Sequence, residues 1–194
     1  MEKHRLLAMT DGVVAIIITI MVLELKTPEG TSPHDLLAQW PVFLAYAFSF
    51  VYIAIYWNNH HHYFHLVKRI DGAVLWANFA LLFFLSLVPF ATAWAGEHGF
   101  APFPTAIYGV ALFLPALMWR VMQAVVIRAD GGREASALGT LLGRDAKSAI
   151  SPLIYIAGIG LSFVAPWAGM LCYFVVALLW VVPDRRIEKI AERG

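Results

Sequence analysis

Apolar residues in this chain gather into long runs, each about the length that a helix needs to cross a bilayer, roughly 20 residues. Short polar or glycine- and proline-containing breaks separate six such runs. The fifth and sixth meet at Ala165-Pro166, which predicts a tight hairpin. The predicted spans are residues 6–25, 36–57, 74–94, 105–127, 146–165 and 167–182. Since no break is long enough for a second domain, we predict a single six-span membrane domain over residues 1–194.

The composition agrees with this pattern. The chain is 60% hydrophobic and 14% charged, whereas soluble domains are nearer 45–50% apolar and about 25% charged. The predicted fold class is therefore all-α integral membrane, which excludes most soluble enzymes and nucleic-acid modules with a clustered basic surface. The single Cys172 excludes a disulfide framework and a four-cysteine metal site. No nucleophile and base pair or phosphate loop is present, so we predict neither catalytic residues nor a cofactor.

Basic residues are distributed unevenly among the segments that join the predicted spans. If both termini lie on one side, that side holds twelve of the 14 Lys and Arg, the other side holds only Lys26, and Arg120 lies within the fourth span. The positive-inside rule then predicts cytoplasmic N and C termini in a multi-pass protein of the cell membrane. The opposite side carries acidic groups that could concentrate cations or simply be solvated. They are Glu24, Glu29, Asp35 and Glu97.

The first span contains charged residues, which inside a membrane are functional hypotheses by default. Arg5 and Asp11 come first, and a stripe at helical spacing follows them. The stripe consists of Ile16, Thr19 or Ile20, and Leu23. Aliphatic side chains at this spacing usually face lipid or a neighbouring helix, so the spacing alone does not identify a pore.

The string from Arg5 to Asp11 resembles the Arg-x-x-x-Phe-Ser-Asp signature of the transmembrane protein 175 family of potassium channels, with Met9 and Thr10 in place of Phe and Ser. The resemblance continues over residues 12–20 and then at Glu24, Lys26 and Pro28, and it recurs at residues 56–60 and 85–92. One copy of the signature in six spans is similar to the prokaryotic branch. The resemblance implies a homotetramer in which the first helix of each subunit lines a central pore.

The resemblance also implies where ions would be selected. Bulky aliphatic side chains form the constriction in that family, and on this sequence they are Ile16, Ile20 and Leu23, with Thr19 adding a hydroxyl. The chain has no Thr-Val-Gly-Tyr-Gly filter or comparable carbonyl loop. We therefore predict a potassium-preferring cation channel of leak type, selective and gated at this hydrophobic constriction. Two acidic residues would attract cations at the outer mouth, namely Glu24 and Glu29.

Antiparallel pairing of the first two spans would bring the polar residues of the signature close to polar residues of the second span. The resemblance implies an inter-helix network that supports the pore helix. The alternative is that Arg5 and the histidines extend to the lipid headgroups. The predicted members are Arg5, Thr10, Asp11, Trp57, Asn58 and His60, with Asn59 also in reach.

Two other features have more than one interpretation. His61 and His65 are four residues apart and could share a metal ion, but no acidic residue lies in that run, and we predict no metal site. Protonation of the histidine cluster is a broader possibility. Arg120 could extend to the cytoplasmic interface or pair with Asp11 or Asp145.

A different function class stays open. A proton-coupled secondary transporter could use Asp11 and the second-span histidines, although the sequence shows neither inverted repeats nor broken midplane helices. For the channel, the predicted partners are potassium ions, membrane lipid and further copies of the chain, with no nucleic acid.

Overall fold

The computed structural model describes residues 3–136, 138–139 and 146–182, and the regular elements within these ranges are helices. Arg144 and the basic residues between 185 and 193, which entered the charge argument above, lie outside the described residues, as does Asp145, the possible partner of Arg120. We number the helices in chain order. They are α1 (Lys3–Leu23), α2 (Pro33–Ala38), α3 (Trp40–His65), α4 (Gly72–Leu85), α5 (Val88–Glu97), α6 (Pro102–Ala129), α7 (Ala146–Ser162) and α8 (Pro166–Val181).

Four apolar segments are long enough to cross a membrane: α1, α3, α6, and the stretch Gly72–Glu97 that contains α4 and α5. Helices α7 and α8 are also apolar, but they have only 17 and 16 residues. The predicted all-helical membrane fold is therefore present, while the fifth and sixth crossings stay a prediction.

The second predicted span differs from the observed helix at both ends. The break falls at Gln39, because Pro41 lies in the first turn of α3 and begins a new helix there. The preceding helix α2 is short and starts at Ser32, whose side chain and that of Asp35 cap each other's backbone N–H groups. At its other end, α3 continues to His65, beyond the predicted end at Trp57, because the polar run contains no glycine or proline to stop it.

The third span is predicted as one continuous run, and the structure interrupts it between α4 and α5. Pro89 lies in the first turn of α5 and has no N–H to donate to the carbonyl of Leu85, four residues earlier. Across the break, the Ser86 hydroxyl donates to the carbonyl of Phe83 at 2.7 Å. The interruption is thus a local proline effect in an otherwise continuous apolar segment.

Helix α1 packs against α3, α4 and α5, and α6 contacts α4, α5, α7 and α8. A chain of hydrogen bonds between buried hydroxyl groups links three of these helices, α3, α5 and α6. Thr92 donates to the carbonyl of Val88 at 2.7 Å, which leaves its oxygen to accept from Ser49 at 2.7 Å, and Ser49 in turn accepts from Tyr108 at 2.6 Å. All three hydroxyl side chains are buried, so this chain fixes α3, α5 and α6 relative to one another.

The long apolar segments α1, α3, α4–α5 and α6 alternate in direction, so the bundle has two distinct ends. The end we call the Lys3 end is tied by the Lys3 ammonium, which donates to the carbonyls of His65 at 3.0 Å and Val67 at 3.2 Å. The opposite end, the Lys26 end, has an ion pair of 2.6 Å between Lys26 and Glu97. The alternation places the described basic residues of the termini and connections at the Lys3 end, apart from Lys26.

Candidate pore helix and its supporting network

Helix α1 has one face packed against the bundle and one face left uncovered. The predicted constriction residues lie on the uncovered face, where Ile16 is 57% exposed, Ile20 44% and Leu23 77%. The opposite face repeats at helical spacing and is almost completely buried. Its residues are Leu6, Thr10, Val14, Ile17 and Met21. The helix is therefore apolar on both sides, which is expected for a helix that contacts the bundle on one side and lipid, another subunit or a pore on the other.

Thr19 lies beside this uncovered stripe, as predicted from the spacing. Its hydroxyl is within 3.0 Å of the carbonyls of both Ala15 and Ile16, to which it donates. Because its one proton is used inside its own helix, the side chain offers only oxygen lone pairs outward. Such an oxygen could contact a cation or a water molecule but could not donate to an anion.

The signature residue Thr10 is connected to His60 through a third residue, Asn78 of α4. The Asn78 amide nitrogen donates to the Thr10 hydroxyl at 3.0 Å, and the Asn78 amide oxygen accepts from His60 Nε2 at 2.9 Å. All three side chains are at most 3% exposed. This buried bridge joins α1, α3 and α4, and it fixes the His60 tautomer with the proton on Nε2.

Asn78 was not among the predicted network residues. Its sequence signal was weak: one uncharged amide in an apolar run, 18 residues beyond His60. A polar side chain inside a predicted span could have been flagged on the same grounds as a charged one.

Asp11, the last residue of the signature, has a separate partner. Trp57 Nε1 donates to the Asp11 carboxylate at 2.8 Å, near the surface of the bundle. Arg5 is exposed, and the described residues offer no hydrogen bond to its side chain or to that of Asn58. Asn59 donates instead to the carbonyls of Ile55 and Trp180, and so ties α3 to α8. Of the predicted network residues, Asp11 and Trp57 are hydrogen-bonded directly and Thr10 and His60 are joined only through Asn78. Arg5 and Asn58 lie outside both contacts.

Acidic residues at the Lys26 end fall into two groups. Glu97 pairs with Lys26, and this hydrogen-bonded ion pair raises the pKa of the Lys26 ammonium. Asp35 accepts from the backbone and hydroxyl of Ser32, which lowers the pKa of the Asp35 carboxyl. Across the described ranges, neither of the remaining two acids accepts a hydrogen bond or joins an ion pair, although the charge of Glu24 contributes to the raised pKa of Lys26. They are Glu24 and Glu29, the two predicted to attract cations.

The other side chains considered in the sequence, His61, His65 and Arg120, lie toward the Lys3 end. His61 and His65 bring their Nε2 atoms to 3.1 Å, within hydrogen-bond distance of each other. In the part of the chain that the structure describes, no group of three or more His, Cys, Asp or Glu side chains could hold a metal ion. Arg120 does not pair with Asp11; its guanidinium donates to the carbonyl of Ser148 in α7.

Comparisons with known proteins support the resemblance seen in the first helix. The family model described as the endosomal/lysosomal potassium channel TMEM175 matches residues 5–89. A protein of Chryseobacterium sp. (strain P1-3) named as a potassium channel is 51% identical over 189 residues, 97% of each chain. A Streptomyces collinus protein, also named as a potassium channel, is 31% identical over 192 residues, covering 92% of this chain and 91% of that protein.

A solved structure agrees with the whole arrangement of helices. The crystal structure of a lysosomal potassium-selective channel TMEM175 homolog from Chamaesiphon minutus has a TM-score of 0.78 and 31% identity, covering 92% of this chain and 96% of that chain. The resemblance is thus confirmed over nearly the full length by relatives that are channels and not enzymes. The chain belongs to the TMEM175 family of potassium channels.

Proposed function

We propose that this chain forms a potassium-preferring cation channel of leak type in the cell membrane, as a homotetramer with six spans per subunit and both termini in the cytoplasm. The observation that carries the proposal is the uncovered apolar stripe on α1, namely Ile16, Ile20 and Leu23. Support comes from the relatives, which are named as potassium channels, and from basic residues concentrated at the Lys3 end.

The stripe suggests how such a pore would select ions. A ring of aliphatic side chains has no oxygen ligands to replace the water around an ion, so passage depends on how easily the ion loses part of its hydration shell. Potassium holds water less tightly than sodium and should pass at lower cost. A narrower ring would exclude water altogether and close the pore, so selectivity and gating would share the same residues.

Two further features fit this proposal. Glu24 and Glu29 lie just beyond the Lys26 end of the stripe, where their carboxylates would raise the local concentration of cations. The buried bridge from Thr10 through Asn78 to His60 would hold each α1 in a fixed rotation, with the same face always turned to the pore.

The test is electrical recording from purified protein in bilayers under opposed potassium and sodium gradients. Wild type should give single-channel steps and a reversal potential displaced toward the potassium equilibrium value. Ile16→Asn should lower the ratio of potassium to sodium permeability, because an amide in the ring can solvate either ion. Ile156→Asn is the matched control, since Ile156 is 58% exposed on α7 and belongs to no predicted pore face.

Three results would contradict the proposal at different levels. An unchanged permeability ratio in Ile16→Asn would remove Ile16 from the constriction. Saturable, gradient-coupled uptake without current steps would favour the secondary transporter that uses Asp11 and the histidines. A monomer or dimer in detergent, measured by light scattering on active protein, would exclude the four-fold pore.

A further inference from the structure

A cavity of about 40 Å³ lies between α3, α6, α7 and α8, and no residue of α1 lines it. We call it the Arg120 cavity. Its position is near the Lys3 end, because Ser148 belongs to the first turn of α7 and Trp180 to the last turn of α8. Most of its wall is aliphatic or aromatic, including Tyr52, Ile55 and Val176. The cavity is thus separate from the proposed pore.

Two polar groups in its wall, the Trp119 indole N–H and the Ser148 hydroxyl, have no hydrogen-bond partner among the described residues. Trp119 is only 5% exposed. The Ser148 hydroxyl is also buried. An indole N–H and a guanidinium can only donate, and a hydroxyl can donate as well. Unpartnered buried donors are rare in folded proteins, which indicates that a group with acceptor atoms belongs here.

Arg120 supplies a positive charge at the same place. One of its nitrogens donates to the Ser148 carbonyl, and within the described ranges no carboxylate lies in ion-pair distance of the guanidinium. The Arg120 side chain is exposed on the surface of the subunit, within an apolar span where a charge without a partner is expensive. Water molecules could accept the hydrogen bonds but would leave the charge uncompensated. An anion would satisfy both the donors and the charge.

We propose that the Arg120 cavity binds the phosphate group of an anionic phospholipid, from the leaflet that meets the Lys3 end. A phosphate has several acceptor oxygens, enough for the indole, the hydroxyl and the guanidinium together. A cavity that holds a single water molecule measures about 10–15 Å³ on the same scale, so a cavity of about 40 Å³ has room for a phosphate group but not for the rest of a head group or an acyl chain. The acyl chains would lie outside, against the exposed apolar face of α7 that includes Leu153 and Ile156.

The experiment is native mass spectrometry of the full chain in a neutral detergent, after addition of phosphatidylglycerol or phosphatidylcholine. Wild type should retain about one phosphatidylglycerol per subunit, and phosphatidylcholine about five-fold less. Arg120→Gln should lower phosphatidylglycerol retention about five-fold. Trp119→Phe should lower it about three-fold, because it removes the N–H and keeps the ring that contacts Tyr56 and Tyr63.

Arg128→Gln is the control for charge alone. Arg128 lies two turns further along α6, is exposed, and does not line the cavity. The Arg128→Gln variant should keep phosphatidylglycerol retention within about 1.5-fold of wild type. Far-UV circular dichroism and gel filtration establish that each variant is folded, and Trp119→Phe keeps the test decisive should Arg120→Gln fail to fold.

Four results would overturn the proposal. Equal losses in Arg120→Gln and Arg128→Gln would indicate diffuse attraction to a basic surface. Equal retention of the two lipids would show that the charge of the head group is not recognised. Competition by millimolar inorganic phosphate as effective as by the lipid would show that free phosphate is the ligand. Unchanged retention in Trp119→Phe would remove the cavity itself from the site.

Discussion

The two ends of α1 are held in different ways. Near the Lys3 end, Thr10 and Asp11 make directional side-chain hydrogen bonds to α4 and α3. From Val14 onward, the buried face contacts the bundle only through aliphatic and thioether side chains, and the last tie is an ion pair beyond the end of the helix. Hydrogen bonds depend on angle and register, whereas aliphatic packing tolerates small shifts. The first part of α1 therefore determines its rotation, and the second part determines only how closely it packs.

Breaking the buried bridge should have the largest effect. Asn78→Ala leaves the Thr10 hydroxyl and His60 Nε2 without their partner inside the bundle, which should lower the free energy of unfolding by about 3 kcal/mol. The measurement is reversible unfolding in mixed micelles. Asn58→Ala is the matched control, since the described residues give the Asn58 side chain no hydrogen bond, and it should cost about 0.5 kcal/mol. Similar losses in the two variants would show that the bridge does not anchor α1.

The packed and uncovered faces of α1 can be compared at two neighbouring residues of the same type. Ile17 is 4% exposed and Ile16 57%. Ile17→Ala should lower the free energy of unfolding by about 2 kcal/mol, because it leaves a cavity against the bundle. Ile16→Ala should change subunit stability by about 0.5 kcal/mol or less. Unfolding in micelles measures both, and a larger loss for Ile16 would reverse the assignment of the two faces.

The contact between α1 and α3 at the surface should matter less. Trp57→Phe keeps the ring and removes the N–H donated to Asp11, which should cost about 1 kcal/mol. Trp76→Phe serves as the reference, because Trp76 is 75% exposed on α4. If both substitutions have the same effect in thermal unfolding, the hydrogen bond to Asp11 contributes nothing measurable.

The ion pair at the Lys26 end should have the smallest effect, since both partners are solvent-accessible and screened by salt. The pKa of Lys26 is raised in the folded state. Its contribution is therefore complete below the ordinary lysine pKa and is lost as pH rises through the raised value. Lys26→Glu should abolish this alkaline loss of stability, and the exchanged pair Lys26→Glu with Glu97→Lys should restore it. Thermal unfolding between neutral and alkaline pH is the readout.

Much of this arrangement is predictable from the sequence, for identifiable reasons. Long apolar runs separated by breaks show where helices lie, because the bilayer fixes their length. The stripe of Ile16, Ile20 and Leu23 follows from helical periodicity, and the structure leaves it uncovered. The pairing of Asp11 with Trp57 follows from matching depth in two antiparallel helices.

The features that the sequence did not predict depend on three-dimensional contacts. Asn78 joins Thr10 to His60 from a third helix, and no spacing rule relates residues 68 positions apart. The end of α3 was predicted too early, because hydropathy marks where apolar residues stop and not where a helix stops. The break before Pro89 had a local signal in the proline itself, which was outweighed by the continuous apolar run.

The uncovered face of α1 needs no polar partner from another helix, and this bears on how the chain inserts into the membrane. From Val13 to Leu23 the exposed side chains are apolar, apart from Thr19, whose proton already binds carbonyls of its own helix. This stretch therefore requires no polar partner when it first enters lipid. Asp11 and Thr10 do require partners, and those lie on helices synthesised later. Newly made α1 can thus remain in the bilayer as an isolated helix. It acquires its final rotation only when α3 and α4 have been inserted and pack against it.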